Sequence, residues 1–380
     1  MLDKQAIKEL TKNSEDRKVF KLGLIVFIST LGLQITRLIL GLVNFNLPAL
    51  YLDQLATLMI QFFFLGVLPV VLYKIMISRK HSDLLEDASL RAKVPPKILV
   101  ASAVLGFALA GFSIIPSLIS SLFFNSVGYQ RSLGSGTLYT SDWILLSDII
   151  FIAVFPAIFE EFVDRGILLG ALKNVKSEMM QVIIAGIYFG VAHQNVPQFL
   201  PATVAGMIIA YVAILTRSIW PGVIIHFCNN FAVVILSYMN QKITLSRPMQ
   251  YIAENSGGLL LGDLVWPILA GVIIFFVLRF ILSSMAKYTA PKVSAFNPEQ
   301  GHYTLSTETK SYTIYGMDPE KALHSPSELL KLHNIIEHIV EDSGVAIKKV
   351  KVSLWAYAPI ISSFVTASFI TLATLFWGMR

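Results

Sequence analysis

Stretches of roughly 20 apolar residues, each long enough to cross the hydrocarbon core of a bilayer as a helix, recur along most of this chain. Hydropathy sets candidate spans at about 21–43, 52–77, 98–124, 144–172, 178–194, 199–216, 219–239, 260–284 and 354–378. Among lipid tails no water satisfies a backbone N–H or C=O, so runs of this kind fold as helices. The sequence therefore predicts an all-α polytopic membrane protein with about 8–9 transmembrane helices and a small cytoplasmic segment before the last one. Only 14% of its 380 residues are charged and 55% are hydrophobic, where a soluble domain carries about a quarter charged residues. That excludes a cytosolic globule, a protein held by a single anchor, and a secreted or nucleic-acid-binding chain.

The net charge of +6 is read as topology, because cytoplasmic loops collect Lys and Arg. Lys4, Lys8, Lys12, Arg17, Lys18 and Lys21 precede the first span, and Lys74, Arg79, Lys80, Arg91, Lys93 and Lys97 surround the second loop. The first loop, NFNLPAL, has no basic residue and the third has only Arg131. The alternation predicts a multi-pass protein of the cell membrane with the N-terminus, the Lys173 turn, the Arg217 turn and the 285–352 segment in the cytoplasm, and Arg380 outside. The first apolar run is longer than a signal-peptide core and has no small-residue cleavage site after it, so it is expected to stay in the mature protein. The span from Trp143 holds about 30 residues, or ~45 Å at the helical rise, which predicts tilt or protrusion. A single cysteine, Cys228, forms no internal disulfide and builds no thiolate metal site. It reads as packing beside the polar residues described next.

In the 285–352 segment, HYTLSTETKSYTIYG alternates like a hairpin. Ser325, Pro326 and Glu328 read as N-cap, first helical position and capping-box partner of a short amphipathic helix through Leu329, Leu332, Ile336, Ile339 and Val340. That helix has its own small domain, the membrane surface or a partner as candidate contacts.

Ionisable side chains inside membrane spans are expensive, and here they cluster. In FPAIFEEFVDRGILLGAL, Glu160, Glu161, Asp164 and Arg165 interrupt an apolar helix. Glu161 and Arg165 stand four apart, the favourable spacing for a buried ion pair, and a structural role for the pair is favoured over direct chemistry. Glu160 points about 100° away and is expected to remain unpaired. The next span holds YFGVAHQN, with Phe189 and His193 on one face, and a later one holds IIHFCNN, with His226 and Asn230 likewise four apart. Counting from the cytoplasmic turns puts all of them near the middle depth. A carboxylate, two imidazoles and an amide at one level of a bilayer make a water-activating site, since each alone is a costly passenger.

The ordered set Glu-Glu-x-x-x-Arg (Glu160, Glu161, Arg165), Phe-x-x-x-His (Phe189, His193) and His-x-x-x-Asn (His226, Asn230) resembles the CPBP family. This is the family of type II CAAX prenyl endopeptidases and bacteriocin-processing or immunity proteins, also called Abi. The resemblance covers roughly residues 145–235. It implies intramembrane peptide-bond hydrolysis: Glu160 as general base, His193 helping to hold the water, His226 and Asn230 stabilising the oxyanion, and Glu161 with Arg165 ordering the site. Phe189 reads as wall. The chain is then divided into a cytoplasmic N-terminal segment (1–20), N-terminal transmembrane helices (21–142), a CPBP-like catalytic core (143–240), a further transmembrane helix (241–284), the cytoplasmic segment (285–352) and a C-terminal transmembrane helix (353–380).

Asp164 departs from the family pattern, which more often has an aromatic or apolar residue there. Four residues from Glu160, it is a candidate for tuning the proton affinity of that carboxylate, unless it points to a water-filled vestibule or pairs with a base on another helix. Arg37, in the middle of the first span, has snorkelling, an acidic neighbour or lipid headgroups as readings. No cofactor is expected. A metal-independent glutamate mechanism is preferred over zinc, because the His-Glu-x-x-His helix of zinc peptidases is absent, and zinc stands as the rival for two histidines and a glutamate. The expected partners are the bilayer and a membrane-associated or lipid-modified peptide or protein substrate, with a protein partner through 285–380 as a further one. The alternative function is a non-catalytic scaffold or immunity factor that keeps the protease fold. A proton-relaying transporter fits less well, because the acids cluster on one helix instead of forming a path.

Overall fold

The computed structural model describes residues 4–43, 49–129, 139–175, 177–243, 261–289, 292–293, 302–306, 311–315 and 352–378. Ten helices are used to describe it. They are α1 (Lys4–Leu42), α2 (49–76), α3 (His81–Asp87), α4 (96–126), α5 (142–172), α6 (Glu178–Ala192), α7 (Val196–Thr216), α8 (Trp220–Ile243), α9 (Leu261–Thr289) and α10 (Ala358–Gly378). Eight spans among the described residues are long and apolar enough to cross a membrane, and they coincide with eight of the nine expected ones. The ninth, α6, has 15 residues, about 22 Å at the helical rise, and so falls short of a full crossing.

Three helices are not uniform, α4 through a turn at Ser113 between Pro96–Phe112 and Ile114–Ser126. In α2 the run Leu58–Val67 is a π-helix, and α5 has two π segments, Ile149–Val154 and Phe162–Leu168, on either side of Phe155–Glu161. A π turn is wider than an α turn, so it takes up more residues for the same axial length. The 31 residues of the α5 span therefore reach less far than their count implied. Wide turns of this type concentrate at functional sites because they rotate the following side chains onto a new face.

The packed interior has two parts. Ile25 and Val26 of α1, Tyr73 of α2, Ile167 and Leu168 of α5, Tyr188 of α6 and Ile360 of α10 form one, and Leu105 and Leu109 of α4, Ile209 of α7, Ile225 of α8 and Met285 of α9 belong to the other. Helix α7 serves both, through Ala210 and Ala213 on one side and Ile209 and Val212 on the other. The last helix is part of the first core. Ser363 is fully buried and its hydroxyl joins Thr30 of α1 (2.7 Å) to Tyr188 of α6 (2.8 Å), while the Ser353 N–H donates to Asp16 at 2.7 Å.

Between α9 and α10 a three-stranded antiparallel sheet runs β1 (Lys292–Val293), β2 (His302–Ser306), β3 (Ser311–Tyr315), with His302 opposite Tyr315 and Ser306 opposite Ser311. The hairpin expected from the alternation of HYTLS and SYTIY is therefore present, as a small addition to an otherwise helical fold. The amphipathic helix expected after Ser325 lies outside the described residues.

Glycine sets one close helix contact that bears on the site. A Cβ on Gly106 of α4 would stand 2.5 Å from the Ile225 carbonyl oxygen and 2.7 Å from the Cys228 Cβ of α8. No side chain is present to hold the helices apart, so α8 lies against α4 with its backbone, and His226 is the residue after that contact. Gly106→Leu is expected to cost about 1–3 kcal/mol through overpacking, read as a lowered melting temperature of the protein in detergent. Val104→Leu, on the exposed face of the same helix, should leave the melt unchanged.

Candidate active site

Glu161 has no exposed surface. Its Oε1 accepts from Arg165 Nη1 at 3.0 Å and lies 2.9 Å from His226 Nδ1. The expected pair four residues apart on α5 is there, and a histidine of α8 joins it. A carboxylate only accepts, so His226 carries its proton on Nδ1 and turns its Nε2 edge the other way. That edge faces Glu160, whose Oε2 is 4.0 Å from Nε2. The two consecutive glutamates thus address the two nitrogens of one imidazole.

Arg165 is fully enclosed as well. Its Nη2 donates to the Gly206 carbonyl of α7 at 3.0 Å, and its guanidinium carbon stands 4.6 Å from the centroid of the Phe189 ring of α6. That face-on contact is a cation–π interaction, which gains strength away from water. Phe189 also meets the rings of His193 and His226 edge to face, at 4.7 and 5.6 Å. The ring thus packs against the arginine and both imidazoles at once.

His193 follows the last residue of α6, where the chain reverses through Gln194, at φ +52°, into α7. Its Nδ1 is 2.7 Å from the Phe189 carbonyl oxygen. A carbonyl accepts, so Nδ1 carries the proton and Nε2 holds the lone pair. Non-helical backbone at membrane depth has to find partners within the protein. Here the carbonyl of His193 accepts from Arg37 Nη1 at 2.5 Å, which answers the open reading of Arg37: it supports the turn that carries a site histidine.

Asn230 lies one helical turn after His226. Its Nδ2 donates to the Ile152 carbonyl at 2.9 Å, within the first π segment of α5, and its Oδ1 accepts from Asn229 at 3.0 Å. An amide NH₂ carries two hydrogens, so one donor position remains after the Ile152 bond. Asp164 is 6% exposed, with Oδ2 at 3.5 Å from Arg165 Nη1. The arginine of its own helix, and not an open vestibule, faces it.

The expectation that Glu160 stands unpaired is corrected. Its Oε1 accepts a hydrogen bond from Gln61 Nε2 of α2 at 2.6 Å. Sequence reasoning passed over Gln61 because it weighed charges and motifs, although one uncharged amide in the run LMIQFFFLGV carries the same signal in weaker form: a polar group in a span needs a reason. Among the described residues no three or more His, Cys, Asp or Glu side chains are grouped so as to hold a metal ion.

Residues 142–232 match the family described as Type II CAAX prenyl endopeptidase Rce1-like. The match runs from the start of α5 to just past Asn230, so it holds all three motifs and is consistent with the resemblance read from them. A curated protein of Bacillus subtilis (strain 168), named "Putative membrane peptidase YdiL", is 29% identical over 102 residues, which is 25% of this chain and 42% of that protein. The alignment thus spans about two-fifths of that relative's length. No solved structure matches the chain.

The geometry separates the two glutamates by their expected response to substitution. Glu161→Gln leaves Arg165 buried without its carboxylate, and breaking a buried pair in this way costs about 3–5 kcal/mol. A large drop in melting temperature is expected, whereas Glu160→Gln, at a side chain that retains some exposure, should melt close to wild type.

Proposed function

We propose that this chain is an intramembrane endopeptidase that hydrolyses a peptide bond of a membrane-associated or lipid-modified peptide or protein by a glutamate-activated water. The observation that carries the reading is the division of labour between adjacent carboxylates. Glu161 is taken up by Arg165 and His226, while Glu160 is met at hydrogen-bond distance, among the described residues, by an uncharged amide alone. A general base needs a free lone pair beside the water it deprotonates.

The chemistry follows from which atoms are engaged. The lone pair on His193 Nε2 accepts one hydrogen of the water, and Glu160 takes the other as the water oxygen bonds to the scissile carbonyl carbon. The carbonyl π pair moves to oxygen, and the oxyanion accepts from the second Nδ2 hydrogen of Asn230. His226 lies beside it with its Nδ1–H held by Glu161, which fixes the orientation of the ring. The leaving nitrogen receives the proton held by Glu160 and the carbon–nitrogen bond breaks. A carboxylic acid, which keeps the second hydrogen of the water, and an amine result, and that proton passes to the amine to leave carboxylate and ammonium, with no redox step. The apolar spans and the match of 142–232 to a membrane-protease family support a substrate that arrives through the membrane.

The rival reading, a scaffold or immunity factor acting through 285–380, is not separated from this one by deleting that segment. Ser363 ties α10 to α1 and α6, so the deletion removes part of the core along with any partner surface. Point substitutions separate them. Wild-type protein in liposomes is expected to cleave quenched fluorescent peptides bearing a farnesylated cysteine near the C-terminus better than the same peptides without the lipid. Glu160→Gln should lower turnover by about 10²–10⁴-fold with an unchanged melt. Retained cleavage in Glu160→Gln removes it from the base role, and a cellular phenotype indifferent to Glu160→Gln favours the scaffold.

A further inference from the structure

Gln61 combines features that structural economy alone would not keep together. Its residue is 5% exposed, its Nε2 is bound to Glu160, and its Oε1 is buried with no hydrogen-bond partner among the described residues. A buried acceptor without a partner destabilises a fold, and replacing such a group by an apolar one of similar shape is close to neutral or stabilising. An amide retained at that cost, in a span where Leu, Phe and Ile surround it, is explained by what its other end does.

The local fold aims it. Gln61 lies in the π-helical run Leu58–Val67, in which each N–H bonds five residues back, so Gly66 stands one wide turn after Gln61 on the same side of α2. A Cβ on Gly66 would lie 2.8 Å from the ring of Phe159, the residue before Glu160. The glycine lets α2 come against α5 at Phe159, and the same register delivers the Gln61 amide to Glu160. Both residues of α2 lie outside the stretch 142–232 that matches the protease family.

We propose that Gln61 is a positioning residue that fixes the Glu160 carboxylate for water activation through its Nε2–H···Oε1 bond, so that α2 completes a site otherwise built from α5, α6 and α8. With Oε1 of Glu160 held by the amide, Oε2 is the oxygen left toward His226 and free to take the proton of the water. The consequence for catalysis rests on the proposed peptidase reading, but the contact itself does not.

The experiment has two arms on the full chain in liposomes. In the first, infrared spectra identify the carboxylate stretch of Glu160 as the band that Glu160→Gln removes. Gln61→Met, which keeps the volume and loses the donor, should shift that band, while Gln54→Met, at an amide bonded to Ser147, should not. In the second, Gln61→Met should lower kcat on the farnesylated peptide by about 10–100-fold, since misplacement of a reacting group by an ångström carries a penalty of about 10². KM should stay within about two-fold and the melting temperature should be equal to or above wild type, which a purely structural residue would not give. Gln61→His, which keeps an N–H donor, should recover part of kcat. A band that does not move in Gln61→Met overturns the proposal, as does a melt that falls together with kcat and no rescue by His. Absence of cleavage by the wild type, with the band still shifting, overturns the peptidase reading and leaves the contact standing.

Discussion

The sharing of Glu161 between Arg165 and His226 is the interaction on which the remaining geometry depends. A lone carboxylate at this depth would carry an unfavourable desolvation free energy, and so would a lone guanidinium. Together they offset much of that cost, and further contacts take up part of their remaining capacity: Arg165 reaches Gly206 of α7 and lies over Phe189 of α6, and Glu161 holds His226 of α8, while Glu161 Oε2 and Arg165 Nε have no hydrogen-bond partner among the described residues. One ion pair on α5 therefore ties down three other helices. Because its geometry is specific, it fixes their rotation as well as their proximity, and rotation decides which edge of His226 meets Glu160. Gly222 of α8 fits the same account: a Cβ there would lie 3.0 Å from Glu161 Oε2, so the helix approaches the acid without a side chain between them.

The second constraint is that the chain has to turn inside or near the apolar layer. Helix α6 is too short to cross, and the reversal at His193 and Gln194 exposes backbone groups that a full-length helix would have satisfied. Arg37 of α1 donates to the His193 carbonyl, and Thr371 of α10 donates to the Val191 carbonyl at 3.0 Å. Both supports come from helices outside the family-matched segment. The first and last spans are thus part of what allows a histidine to be presented on a tight turn in place of a regular helix.

Much of this was legible in the sequence, for a physical reason. Hydropathy reports the cost of exposing apolar surface and of burying charge, so it located eight crossing spans and the short ninth, and it singled out Glu160, Glu161, Arg165, His193, His226 and Asn230 as polar groups needing partners. The i,i+4 rule gave the Glu161–Arg165 pair because that contact is local to one helix. Contacts between distant helices leave no such periodic trace. The engagement of Gln61 with Glu160, of Arg37 with the His193 turn, and of Ser363 with Thr30 and Tyr188 joins residues about 100 to more than 300 positions apart. The π segments were equally invisible, since their apolar residues fit either helix type and only packing selects the wider turn. The 3.6-residue period used to place Asp164 beside Glu160 crosses into the π segment Phe162–Leu168, where it no longer describes the helix.

Charge balance in the cluster bears on how the two halves of the site work together. Glu161 and Asp164 both lie within 3.5 Å of Arg165 Nη1, so one fixed positive charge stands against two acids before Glu160 is counted. Asp164 and His226 touch the same Arg165–Glu161 pair, one from within α5 and the other from α8, so a change of charge or position at Asp164 is felt at His226 through the shared pair. Asp164, the residue that departs from the family pattern, thereby has a physical route to that imidazole through Arg165 and Glu161, without having to touch Glu160 at all.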